Sequence, residues 1–339
     1  MKLEDHLSEI SSPAERTFMG DLEFRFPRLK QFVGGERLDR YYWVEDDHVK
    51  NLYLSYIDLS DETPQLIEEI LKYLPKLKYL GLTECNLSKN LTLLKELGKL
   101  EDLKRLENLG LSKNALKEIP FSFDKLRNLK ELDVDQNELS DLPESFSSLN
   151  SLERLSIGDN DFTEFPKDIL KCKKLKMLNF SDNHLKEMPE GISELAELEH
   201  IALGGNHIKK LPDSICRLKK LEHLYIGGNG LLRLPECIGE LESLDEANFG
   251  GNKIKRIPKS IGNLKKLKYL NLAGNEIREL PESMGEMESL KTLILWDNKI
   301  ERVPTSFHKL VNLEILDIFR DNPISSLPES FAKNIRFLD

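Results

Sequence analysis

One spacing constrains this chain more than any other feature. Leu106, Leu129, Leu152, Leu175, Leu198, Leu221, Leu244, Leu267, Leu290 and Leu313 follow one another at steps of 23 residues, each opening a version of L-x-x-L-x-L-x-x-N-x-L-x-x-L-P-x-x-I-x-x-L-x-x. A fixed period of this size describes one supersecondary unit stacked on copies of itself. The 339 residues are therefore read as one elongated array and not as two or three independent globules. Two divergent repeats start at Val49 and Leu77, with steps of 28 and 29, which makes about twelve turns.

Each repeat position has a physical reading. The apolar residues of L-x-x-L-x-L, such as Leu129, Leu132 and Val134, alternate at period two, which suits a short strand with one buried face. Stacking then lines the strands up in a parallel sheet. The Asn that follows, from Asn114 to Asn298 in nine consecutive turns, carries donors and an acceptor that can satisfy backbone groups where the chain bends inward. Cys85 takes that place in the second turn, and Ile57 departs from it in the first. Pro at the fifteenth position, from Pro120 to Pro304, fixes φ and removes a donor, so the return path is expected to be extended or 3-10. The two early turns carry PQLIEEILKYL and LTLLKELGKL instead. Their helical apolar spacing predicts α-helices there, and the longer steps supply the residues.

The pattern resembles the leucine-rich repeat family, in particular its 23-residue Ras-group or Scribble-like class with LP before an Ile or Phe. The resemblance implies an α/β fold: a right-handed leucine-rich repeat solenoid (horseshoe) with a parallel concave β-sheet and a mostly irregular or 3-10 convex side. Residues 1–48 are expected to be an N-terminal capping region, 49–331 the repeat domain and 332–339 a short tail. Within the cap, RYYWVEDDHVKNLYL predicts two strands around an acidic turn. In the last turn one residue is inserted within IFRDNPI.

Glycine pairs such as IGGNG at 226–230 invite a phosphate-loop reading. A phosphate cradle needs glycines that lead into a helix N-terminus. These lead from a strand into an Asn turn, and they recur as Gly204-Gly205, Gly227-Gly228, Gly250-Gly251 and Ala273-Gly274. They are read as turn residues that leave a trough without side chains, where a partner's backbone can approach.

Outward strand positions form three zones. Tyr53, Tyr56 and Tyr79 lie first; Glu131, Asp133, Asp135 and Asp159 follow; His200, His223, Tyr225, Tyr269, Ile294, Trp296, Ile315 and Phe319 come last. The third zone is the expected partner-binding site, because large apolar groups on an exposed face mark recognition surfaces. His200 and His223 fall on adjacent strands, but no cysteine lies nearby to complete a site, so no metal and no cofactor are expected. Lys173-Lys174, Lys219-Lys220 and Lys265-Lys266 alternate with Ala196-Glu197, Glu242-Ser243 and Glu288-Ser289, which sets Lys beside Glu down the stack.

Four cysteines without C-x-x-C spacing, each at a different repeat position, are read as reduced thiols. The first residues lack the apolar core of a secretory signal and no run of 18 apolar residues occurs, so a cytoplasmic protein is expected. A net charge of -10 argues against nucleic acid or an anionic membrane as main partner. No P-loop, G-x-S-x-G, HExxH or kinase signature is present. The reading is a monomeric, non-catalytic scaffold for a protein partner, and the resemblance implies small-GTPase or related signalling. The alternatives are the recognition portion of a larger enzyme (kinase, GTPase or ubiquitin ligase) and a host-directed microbial effector.

Overall fold

The computed structural model describes residues 7, 9–26, 42–97, 104–324, 326–327 and 336–337. Residues 1–161 and 162–339 form two compact units.

In the first unit, helix α1 (Pro13–Arg25) starts at the N-cap Ser12, whose side chain accepts from the Glu15 backbone N–H, with Pro13 in the first turn. Strands β1 (Tyr42–Glu45) and β2 (His48–Tyr53) form the expected antiparallel hairpin. Its turn residues Asp46 and Asp47 both have positive φ, as a tight two-residue hairpin turn requires. The start of the quoted segment and much of residues 1–48 lie outside the described residues. Glu15 ties α1 to the sheet. Its buried carboxylate accepts from the Val49 backbone N–H at 3.1 Å and lies 2.7 Å from His48 Nδ1.

Strands β3 (Tyr79–Gly81), β4 (Asn108–Gly110), β5 (Glu131–Asp133) and β6 (Arg154–Ser156) continue in parallel from β2. Their central residues Leu52, Leu80, Leu109, Leu132 and Leu155 stand in one buried row. Helices α2 (Gln65–Tyr73) and α3 (Leu91–Leu97) occupy the return paths of the two long turns. Their buried faces, Leu66, Ile67, Ile70 and Leu71 on α2 and Leu93, Leu94 and Leu97 on α3, are those the helical spacing predicts.

The second unit repeats one plan. Strands β7 (Met177–Asn179), β8 (His200–Ala202), β9 (His223–Tyr225), β10 (Glu246–Asn248), β11 (Tyr269–Asn271), β12 (Thr292–Ile294) and β13 (Ile315–Asp317) pair in parallel without slippage. A further short strand, β14 (Arg336–Phe337), pairs with β13; the rest of 332–339 lies outside the described residues. Pro166, Pro189, Pro212, Pro258, Pro281 and Pro304 each cap a five-residue 3-10 segment, which is the return path that fixed φ dictates.

The glycine pairs divide into two roles. The second member, Gly205, Gly228, Gly251 or Gly274, has φ between 61° and 67°, a conformation glycine enters at little cost. The first member meets a different limit: a Cβ on Gly204, Gly227 or Gly250 would lie 3.3 Å from a carbonyl oxygen of the next turn.

One sequence expectation is overturned. Cys216 and Cys237, read as reduced thiols because their repeat positions differ, are joined in a disulfide with Cα atoms 5.9 Å apart. Residues 21 apart are neighbours across turns on the 3-10 side, where the backbones of successive turns are staggered, so unequal repeat positions do not keep thiols apart. Cys85 and Cys172 are free and buried, and burial pushes both thiols up to about 12. At pH 8 such a thiol is on the order of one part in ten thousand thiolate. Alkylation of the native protein at that pH is thus expected to label neither, and unfolding without reductant to label two. Reduction removes a crosslink around a loop of about 21 residues and is expected to cost about 3 kcal/mol, read as a lower Tm.

Candidate binding surface

Parallel register turns the sequence alternation of the second unit into two outward rows. His200, His223, Glu246, Tyr269, Thr292 and Ile315 stand opposite one another along the first. Ala202, Tyr225, Asn248, Asn271, Ile294 and Asp317 form the second. All except Asp317 are half-buried, and the strand residue between the rows is fully buried in every turn. The structure thereby brings together six of the eight residues singled out by sequence. Trp296 and Phe319 lie just beyond the ends of β12 and β13.

The aromatic end is more polar than the sequence suggests. The Arg320 guanidinium lies 4.2 Å from the Trp296 ring centroid, a cation–π arrangement. The same group ion-pairs with Asp317 at 3.4 Å. Asp317 is 5% exposed and its Oδ1 has no hydrogen-bond partner; burial raises its pKa, with Arg320 opposing. Arg320 was not singled out by sequence because the inserted residue in this turn hides its alignment with earlier turns; Asp317 keeps the register of Ile294 and was passed over as a single acidic residue among apolar ones. Ile294, Trp296, Ile315 and Phe319 are half-buried, whereas the most open large apolar groups among the described residues are Phe24 at 83% and Val311 at 78%.

The histidine end carries a polar chain. His200 and His223 stack with centroids 4.4 Å apart and planes at 9°. His223 Nδ1 lies 3.1 Å from the Tyr225 hydroxyl, which donates to Glu246 Oε2 at 2.5 Å. Burial first, and then the Glu246 carboxylate, raise the Tyr225 pKa.

In the first unit, Tyr53 and Tyr79 pack at 4.5 Å, and burial lifts the Tyr79 phenol to about 12. Tyr56 is 58% exposed. The acidic zone is held by neighbours: Glu131 accepts from Asn108 Nδ2 at 2.7 Å, Asp133 from Ser112 Oγ at 3.0 Å and Asp135 from Ser156 Oγ at 2.6 Å. In the same unit, Lys50, Lys76, Lys78, Lys104 and Lys130 line a cleft together with Glu107, which bridges Lys78 and Lys130. Hydrogen bonding from Lys130 is the main cause of the lowered Glu107 pKa.

Two of the lysine pairings follow the alternation, Lys220 with Glu197 at 2.7 Å and Lys265 with Glu288 at 3.7 Å, whereas Lys173 with Glu194 at 2.6 Å and Lys265 with Glu286 at 3.8 Å join residues 21 apart that the alternation does not align. These exposed pairs contribute little stability. They neutralise the side of the stack.

An uninterrupted series of in-register turns with its polar and aromatic residues on one strand face defines a repeat-built interaction module. The chain belongs to the leucine-rich repeat family. A leucine-rich repeat region model matches residues 163–249 and 251–339, and a second leucine rich repeat model matches 104–162. No curated protein matches the chain significantly. Among solved structures, a leucine-rich repeat protein of Leptospira interrogans is 27% identical, with 81% of this chain and 85% of that chain covered and a TM-score of 0.55. The internalin inlF of Listeria monocytogenes is 20% identical over 85% of this chain and 86% of its own, with a TM-score of 0.62. The ectodomain of the Arabidopsis thaliana receptor kinase GASSHO1/SCHENGEN3, solved in complex with CASPARIAN STRIP INTEGRITY FACTOR 2, is 26% identical at a TM-score of 0.59; 74% of this chain and 33% of that chain are covered. The repeat fold is that of a protein-interaction scaffold.

Proposed function

We propose that the chain is a non-catalytic scaffold that holds a protein partner on the outward rows of residues 162–339, through His200, His223, Tyr225, Tyr269, Ile294, Trp296, Ile315 and Phe319. The observation that carries this reading is the register. Side chains of different chemistry repeat at the strand spacing of about 4.8 Å, beside turns whose Gly204, Gly227 and Gly250 present backbone without a Cβ. A partner segment lying across the strands would meet histidines and tyrosines at one end and the Trp296–Arg320 pair at the other. The Arabidopsis ectodomain solved with CASPARIAN STRIP INTEGRITY FACTOR 2 supports a bound partner by similarity.

In this reading the chain acts as a monomer in small-GTPase or related signalling, and its charge of -10 disfavours polyanionic partners. Cytoplasmic residence is part of the proposal. It requires the Cys216–Cys237 pair to be reduced in the cell, because cytosolic thiols are kept reduced. Alkylation in denaturant at the moment of lysis decides the compartment: four labelled cysteines support a reducing one, and two an oxidising one.

Affinity capture from source-cell lysate, followed by titration of the captured protein, tests the surface. Ile294→Ser, Trp296→Ser and Phe319→Ser combined are expected to weaken binding more than about thirtyfold, as loss of central anchors does, with an unchanged circular dichroism spectrum. Unchanged affinity would move the site away from these residues.

A further inference from the structure

We propose that His200, Glu222 and His223 bind one divalent transition-metal ion of the zinc type on the outward face of β8 and β9. The sequence expectation looked for a cysteine as third ligand. The structure supplies a carboxylate instead. His200 and His223 are register partners on adjacent parallel strands, which stacks their rings at 4.4 Å. Glu222 immediately precedes His223, and the ligand atoms of all three residues lie within 4.8 Å of one another. Among the described residues this is the one group of three His, Cys, Asp or Glu side chains gathered so closely.

The chemistry of the set suits the ion. Zinc takes imidazole nitrogen and carboxylate oxygen at about 2.0–2.2 Å, which places tetrahedral ligands about 3.4 Å from one another. Reaching that spacing requires the two rings to turn out of their 9° stack about χ1 and χ2 so that their lone pairs converge, with the exposed Glu222 carboxylate following. Two imidazoles and one carboxylate leave a fourth position open to water or to a carboxylate of a bound partner.

A second observation comes from the hydrogen-bond order behind His223. The Tyr225 hydroxyl donates to Glu246 Oε2 at 2.5 Å, so its oxygen is left to accept from His223 Nδ1–H at 3.1 Å. His223 Nδ1 also lies 3.6 Å from Glu246 Oε2. This order fixes the His223 tautomer with its lone pair on Nε2, the nitrogen directed away from Tyr225. A carboxylate that orients a ligating imidazole through its other nitrogen is a general device for raising metal affinity. Glu199 and Glu246 add negative charge beside the group, whereas the nearby Asp245 is ion-paired with Lys268 at 2.9 Å.

The stacked pair His184 and His207, at 5.7 Å and 13°, provides an internal comparison. It offers two imidazoles one turn apart, without membership in any gathered group of three.

Isothermal titration of the full chain with zinc chloride, in a non-coordinating buffer, tests the site without any partner. The expected result is saturable binding of one ion per chain at micromolar affinity. His200→Ala, His223→Ala or Glu222→Gln each weakens it by more than about tenfold, and Tyr225→Phe, which does not touch the ion, by about tenfold. His184→Ala with His207→Ala leaves it unchanged. Cobalt(II) added to the wild-type chain gives a reading that no variant's folding can confound. Visible d–d bands of a low-symmetry nitrogen and oxygen site, without thiolate charge transfer, are expected. Absence of saturable zinc binding, sensitivity to His184 and His207 in place of His200 and His223, or a thiolate band assigning the ion to a cysteine overturns the proposal.

Discussion

Gly262→Ala is expected to destabilise the protein by about 3 kcal/mol, the upper end of the usual cost of overpacking, whereas Gly20→Ala is expected to stabilise it by about 0.5–1 kcal/mol. The same methyl group has opposite signs at the two sites. Gly20 lies inside α1 with nothing within 4 Å of an added Cβ, so alanine only restricts the unfolded chain and favours the helix. At Gly262 the added Cβ would overlap the carbonyl oxygen of Ser283 and stand 2.8 Å from its carbonyl carbon. The obstacle is backbone, which a side-chain rotation cannot relieve. Gly239 against Ser260 and Gly285 against Ser306 repeat the arrangement one turn to either side, so the 3-10 segments cannot separate locally without disturbing the next pair. Urea unfolding of the two variants beside wild type checks both signs. A Gly262→Ala midpoint equal to that of wild type would mean that the turns move apart freely.

The same seam explains the disulfide. Each of these pairs is separated by 21 residues, and so are Cys216 and Cys237. Leu170 and Gly191 reverse the order: an added Cβ at Gly191 would stand 2.7 Å from Leu170 Cδ1. At these crossings a small residue faces a larger one or a covalent bond replaces the contact.

Much of this fold was legible in the sequence because the period acts on every turn at once. A single strand of three residues, such as His200–Ala202, carries almost no local signal. Ten copies at one spacing make the alternation unambiguous, and fixed φ at Pro212 or Pro258 then predicts the 3-10 return. The outward rows followed from the same alternation. What could not be read from the period was the stagger between turns. Alignment at 23 residues pairs Cys216 with Gly239, whereas the folded chain pairs it with Cys237. Side-chain chemistry between rows was hidden for a related reason: Glu222 does not occupy either outward row, yet it reaches the His200–His223 pair. Arg320 lies past an inserted residue and covers Trp296. An arrangement of three residues on two strands needs coordinates, whereas a ladder of identical positions does not.

The second large effect belongs to the asparagine ladder: Asn206→Ala is expected to cost about 3 kcal/mol, because it leaves the buried Leu185 N–H unsatisfied and strips a bond from the Phe180 carbonyl, at about 1–3 kcal/mol for such a group, while the Leu203 and Gly204 carbonyls keep Asn229 Nδ2 and the Asp182 N–H. Asn206 is 4% exposed. Its Nδ2 donates to the carbonyls of Phe180, Leu203 and Gly204 at 2.9, 3.1 and 3.3 Å, and its Oδ1 accepts from the Leu185 N–H at 2.9 Å. One side chain thus joins two turns, and alanine removes all four bonds while opening too little space for water to replace them. Asn206→Cys separates the donor from the acceptor function. Cys85 shows what a thiol achieves in this seat: its Sγ donates to Leu54 O at 3.1 Å and Thr83 O at 3.4 Å. Cysteine at 206 therefore keeps weak bonds to the carbonyls and loses the acceptor for Leu185 N–H, placing it between wild type and alanine. Asn206→Asp retains the acceptor but aims a carboxylate at three carbonyl oxygens, and is expected to be at least as damaging as alanine. Denaturant midpoints in the order Asn, Cys, Ala, with Asp at or below Ala, are the expected outcome. If the aspartate variant matched wild type, the bonds to Phe180, Leu203 and Gly204 would have no part in holding the turns together.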